Sequence, residues 1–180
     1  MSIIFNKINL IVLISIIIIV NISIPCLCFP TGAPTWACAD QKPGHGFPPQ
    51  NSPSPYQLDV QPQQNGQSYK LTIKSSSGQT FRGFLIEARL VVGNGVGSQP
   101  VGRFESTNTT IAHTINCPGG QNNAITHSNP VDKHEIIVLW YPPPQGSTPG
   151  QHSSVRFVAT VVKVYNTYWM NLLSAPIQLN

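Results

Sequence analysis

The side chains best able to do chemistry in this sequence are its five histidines and six carboxylates, because imidazole can serve as base, proton shuttle or metal ligand near neutral pH. Their spacing gives them no catalytic setting. There is no Gly-x-Ser-x-Gly elbow to raise a serine on a strained turn, and no His-Glu-x-x-His to set two ligands on one helix face. His45 stands in Pro43-Gly44-His45-Gly46 and His127 in Thr126-His127-Ser128; both read as neutral imidazoles that bond backbone groups and fix turns. His113, Asp132, His134 and Glu135 are the right donor types for a metal, but only if the fold gathers them. No catalytic, cofactor-binding or metal-binding residue is therefore expected, and no enzyme.

The four cysteines divide by position. Lys7 is the only charge before an apolar run from Leu10 to Val20, the layout of a signal peptide, and the run is too short and too interrupted by polar residues to be a membrane span. Pro25 ends it, and Cys26 and Cys28 are small residues three and one before Phe29, so cleavage is expected after Cys28, with residues 1–28 removed. Cys38 and Cys117 then remain, and in an oxidising compartment they have one intramolecular pairing, a disulfide. No later segment is apolar enough to span a bilayer. The expected product is secreted and extracellular.

Charge is sparse, at 9% of residues. Without Lys7, nine Lys and Arg face six Asp and Glu, a balance of +3, too mild and too scattered for a nucleic-acid footprint. A weak positive field still favours anionic surfaces. Candidate ligand-binding residues are Arg82 and Arg89, if they face solvent, and Trp169, since indole offers area with a polar handle. Trp140 shares the inward phase of Ile136 and Val138 and reads as core; Trp36, beside Cys38, reads as seating the N-terminal segment. Asn108, in Asn108-Thr109-Thr110, carries a glycosylation signal.

The elements that must position these side chains are strands. Phe29 to Pro55 is dense in Pro, Gly, Ser and Asn without apolar period and reads as an extended arm laid over the domain. Alternation begins near Tyr56 and recurs in Tyr69–Ile73, Phe84–Val92, Ile136–Trp140 and Val155–Val161. Lys70, Thr72, Arg89, Glu135, Arg156 and Thr160 fall at solvent-facing or edge positions of these runs, while Leu85, Ile137 and Val158 call for cover on the second face. Asn65-Gly66, Ser77-Gly78, Asn94-Gly95, Gly119-Gly120 and Pro142-Pro143-Pro144 mark turns, and the regions around Gly93–Gly97 and Pro142–Gly150 read as mobile loops. The economical fold is an all-β, antiparallel β-sandwich of one domain, residues 29–180.

Cys38-Ala39-Asp40, Pro43-Gly44-His45-Gly46, Ser54-Pro55-Tyr56, the run from Phe81 to Arg89, Val101-Gly102-Arg103-Phe104, Thr126-His127-Ser128 and Val138-Leu139-Trp140, in this order, resemble a Reeler domain. The resemblance covers residues 29–180 and is nearest to stand-alone Reeler proteins of insect haemolymph. It implies an immunoglobulin-like β-sandwich, secreted for innate immunity, that binds microbial cell-surface components such as lipopolysaccharide or glucan, is antibacterial or promotes nodulation, and in the latter case engages the haemocyte surface. The family also furnishes domains of matrix proteins and of membrane-bound reductases. The first makes an adhesion module for sulfated glycans the alternative function; the second is not expected to bring redox activity, because haem and transmembrane parts are not read in this sequence.

Overall fold

The computed structural model describes residues 29–63, 67–144 and 154–179. The signal segment 1–28 and most of the loop after Pro144 lie outside them, as does the turn at Asn65-Gly66. Strands β1 (Tyr56–Gln63), β2 (Ser68–Ser75), β8 (Glu135–Tyr141) and β5 (Arg103–Ser106) form a four-stranded sheet in the order β1-β2-β8-β5. A seven-stranded sheet runs β10 (Thr167–Leu173), β9 (Ser154–Val164), β3 (Gly83–Val92), β7 (Ala124–His127), β6 (Ala112–Ile115), with β4 (Gly95–Pro100) paired to β3 and β11 (Ile177–Gln178) to β9. All strand pairs are antiparallel.

The inner faces follow the period of two. Leu71 and Ile73 of β2, Ile136, Val138 and Trp140 of β8, Phe84, Ile86 and Ala88 of β3, and Phe157, Ala159 and Val161 of β9 meet in one cluster. Trp140 is at its centre, with Phe157 edge-on at 5.1 Å and Tyr69 at 5.7 Å. Its indole Nε1 donates to Val101 O at 3.0 Å, so the polar end of a fully buried ring is satisfied.

The arm covers the other face of the seven-stranded sheet. It makes one short 3-10 turn, Thr35–Cys38, and otherwise lies across β3, β7, β9 and β10 on long-range bonds. Ala33 N donates to Thr126 Oγ1, Thr160 Oγ1 to Gln41 O, Gln50 N to Tyr168 O, and Trp169 Nε1 to Ser52 O. Cys38 and Cys117 are joined, with Cα atoms 5.7 Å apart, and pack with Ala37, Leu85 and Ala124 in a second apolar cluster beneath the arm.

This cover alters several expectations. Arg89 and Thr160 are buried under the arm rather than solvent-facing, and Thr72 is buried as well. Leu85 and Val158 are covered on the second face as expected, but Ile137 is 39% exposed, since among the described residues the arm lies on the other sheet. The glycine-rich stretch after Gly93 is not a loop: Gly93 turns the chain at φ 58° and β4 pairs back onto β3, since Gln99 and Pro100 continue an extended register that its glycines conceal. Trp36 is 51% exposed and its ring meets Phe29 edge-on at 6.0 Å, a contact within the arm rather than one that seats it on the sheet.

Candidate functional site

Where the arm crosses the sheet, the outward residues of β3 are Leu85, Glu87 and Arg89, all buried. Two of them are charged and need internal partners. Arg89 Nε and Nη2 reach Glu87 Oε2 at 2.7 and 2.6 Å, and Nη2 also donates to Cys38 O at 2.9 Å. Glu87 Oε1 lies 3.8 Å from the Cys117 sulfur, and the Gln41 side chain bonds the same carboxylate. Burial pushes the Glu87 carboxyl above its ordinary range, with Arg89 and Gln41 pulling the other way. Cys38, Glu87 and Cys117 bring three metal-type donors within 4.8 Å of one another, but the two sulfurs are spent on each other, so the cluster is an arm-locking joint.

Beside this joint is a cleft of about 50 Å³ between the arm and the ends of β3, β7 and β9. Phe29, Ala33, Ala37, Phe84, Leu85 and Val162 give it apolar walls, and Gln41, Lys42, His45, His127 and Thr160 supply its polar groups. His127 is fixed by its bonds: Phe84 N donates to Nδ1 at 3.3 Å, so Nε2 carries the proton and donates to Phe29 O at 3.2 Å. Burial holds this imidazole below its usual range. It bonds backbone groups as expected, but from the end of β7 across to β3 and the arm rather than within a turn.

His45 differs. Burial lowers it too, and it keeps one backbone bond with Tyr165, but its buried Nδ1 has no partner. Gln41 is 3% exposed, donates from Nε2 to Val158 O at 3.2 Å, and leaves Oε1 without a partner. It does so at φ 58°, a left-handed backbone that a long side chain rarely adopts. The sequence carries no signal for Gln41: its neighbourhood reads as featureless arm, and only the tertiary placement makes it special.

Of the three residues expected to meet a ligand, only Arg82 stands at the surface, in an exposed ion pair with Asp132 at 2.7 Å. Arg89 is committed to Glu87 and Cys38, and Trp169 is 8% exposed with its indole bonded to Ser52. Neither presents its side chain to solvent: the arm lies over Arg89, while Trp169 packs into the core with Tyr56 at 5.6 Å and meets the arm only at its indole nitrogen. The histidine–carboxylate set is also dispersed in role: His113 Nδ1 pairs with Ser128 Oγ at 3.1 Å, and Asp132 with Arg82. Asn108 is exposed on the connection from β5 to β6, where its Oδ1 accepts from Thr110 N and Thr110 Oγ1 at 3.0 and 2.7 Å.

Known proteins give this geometry a context. A family model described as the Reeler domain matches residues 36–180. The chain is 37% identical over 160 residues to "Putative defense protein 2" of Antheraea mylitta, spanning 84% of this chain and 91% of that one. It is 32% identical over 146 residues to ferric-chelate reductase 1 of Bos taurus, but that match spans 23% of the reductase. Among solved structures, the human F-spondin reeler domain superposes with a TM-score of 0.57 at 22% identity, covering 74% of this chain and 95% of that one.

Proposed function

Because the chain belongs to the Reeler family, and its relatives of similar length are named defense proteins, we propose that it serves a defence role by attaching, without catalysis, to microbial surface components such as lipopolysaccharide or glucan. The observation that carries this reading is the near full-length match to the defense proteins, set beside a reductase match confined to a quarter or less of those enzymes. On this reading the protein is exported with residues 1–28 removed and is glycosylated at Asn108, and attachment leads to growth inhibition or to nodulation with haemocytes. The described residues contain no helix long and apolar enough to cross a membrane.

Exposed Lys74, Arg82 and Arg103 provide the charge for anionic envelope groups. Attachment through them weakens with salt, because exposed charges are screened beyond a Debye length of about 8 Å at physiological ionic strength; apolar and hydrogen-bonded contributions persist. The test is a pull-down of the secreted protein on whole bacteria, glucan and heparin over a salt series. Retention on bacteria or glucan above that of an unrelated basic secreted protein is expected. Retention on heparin alone would favour a sulfated-glycan adhesion module, and no difference from the control would remove the defence reading's physical basis.

A further inference from the structure

The cleft beneath the arm is chemically uneven. Its walls are apolar, yet two of the side chains that line it, Gln41 and His45, each hold a buried acceptor atom with nothing to accept from. Buried polar atoms are nearly always paired, and an unpaired one costs about 1–3 kcal/mol. Turning the Gln41 amide over does not help, since its nitrogen already serves Val158 O and Glu87. His45 keeps its one backbone bond with Tyr165 while Nδ1 stays bare, and burial keeps the ring neutral, so Nδ1 is an acceptor. Gln41 also occupies a left-handed backbone held in place by Ala37 O, Thr160 Oγ1 and Val158 O. Strain that neighbours hold so firmly, beside an unmet acceptor, is the kind that accompanies ligand sites.

Size and sign narrow the ligand. About 50 Å³ takes on the order of three to five water-sized groups at roughly 10–15 Å³ each. An acyl chain would fill it without meeting the acceptors. A phosphate or carboxylate brings only more acceptors. What suits is a short apolar end with an N–H beside it, and exposed Lys42 at the same cleft adds a donor for a carbonyl. Two exposed aromatic rings touch residues that line the cleft: Trp36 meets Phe29 at 6.0 Å and Tyr165 lies on His45 at 4.7 Å. Such rings pack against the apolar face of a sugar.

We infer that this cleft receives the acetamido group of an N-acetylated amino sugar, its methyl against Ala33, Ala37 and Leu85 and its N–H on Gln41 Oε1 or His45 Nδ1, with the sugar ring on Trp36 or Tyr165. This rests on the surface-attachment reading above and gives it a chemical class. The mature protein would be titrated with tri-N-acetylchitotriose, its N-deacetylated counterpart and a glucose trisaccharide, read by amide chemical shifts. Shifts confined to the cleft and raised by the acetylated sugar alone are expected. Gln41→Leu should weaken binding about tenfold or more, the scale of one lost hydrogen bond.

Gln41→Leu also removes buried bonds that hold the arm, so Tyr165→Ala, at a 41% exposed ring that gives up only its packing on His45 and Phe47, is the second variant and should weaken binding with a smaller loss of thermal stability than Gln41→Leu. Retention on peptidoglycan or on chitin particles identifies the source of the sugar. No cleft shifts, equal shifts with the glucose trisaccharide, undiminished affinity in both variants, or retention on neither particle would overturn the assignment. Failure here alongside firm attachment to bacteria leaves the broader reading standing. Failure of bacterial attachment alongside acetylated-sugar shifts removes that reading and keeps the cleft.

Discussion

At Trp140 the indole is fully buried, touched by Phe157 and Tyr69 and bonded to Val101 O. Trp140→Ala should cost about 3–5 kcal/mol, seen as a lower denaturant midpoint with little change in slope. His127 tests electrostatics instead. Burial sets its folded pKa below the unfolded value of about 6.5. The unfolded chain therefore takes up the proton first, and stability present above about pH 6.5 is lost as pH falls toward the folded value. His45 has the same sign, whereas Glu87, raised by burial, has the opposite one in the carboxylate range. The thermal midpoint should fall between pH 7 and 5.5, and His127→Gln should flatten that slope; equal slopes would count against this account.

The arm is the element on which both the core and the candidate site depend. Cys38 and Cys117 close a loop of 79 residues, worth roughly 4.5 kcal/mol in the chain-entropy model. Replacing both by Ala should lower stability and release the arm first, because β1–β11 keep their own ladders. Amide exchange would show early loss at Ala37 and Gln41 with β3 and β9 still protected; uniform loss would contradict it. The strands themselves were legible, since Phe84–Ile86–Ala88 and Phe157–Ala159–Val161 alternate plainly. The arm's effect was not. A segment without period gives no sign of which sheet face it covers, so Arg89 and Trp169 looked available to a ligand while Gln41, in the same arm, looked like filler. β4 escaped notice because Gly95 and Gly97 remove the side chains whose alternation would announce it.

On the scale of the whole molecule, two sheets bury one continuous core and the arm adds a third, thin layer fixed by a covalent joint. The proposed export, the joint and the glycan can all be checked by mass. Intact-mass measurement should find an N-terminus at Phe29, two hydrogens fewer than the reduced chain, and a glycan removable by amidase at Asn108, where the neighbouring Thr110 hydroxyl already bonds the side chain. A retained leader or two free thiols would refute the processing part, and an unmodified Asn108 from an insect-cell host would refute the glycan.

The closed loop also encloses β1–β6 and leaves β7–β11 outside, yet β8 lies between β2 and β5, and β3 between β9 and β7. Each sheet is thus woven from both portions of the chain. A protease that cuts the exposed turn at Ser77-Gly78 severs the backbone without parting the molecule. The two pieces stay tied through Cys38 and Cys117 and interleaved by their ladders, and only reduction together with denaturation separates them. A nicked molecule of this kind keeps both sheets, and the cleft beneath the arm, in one covalently linked unit.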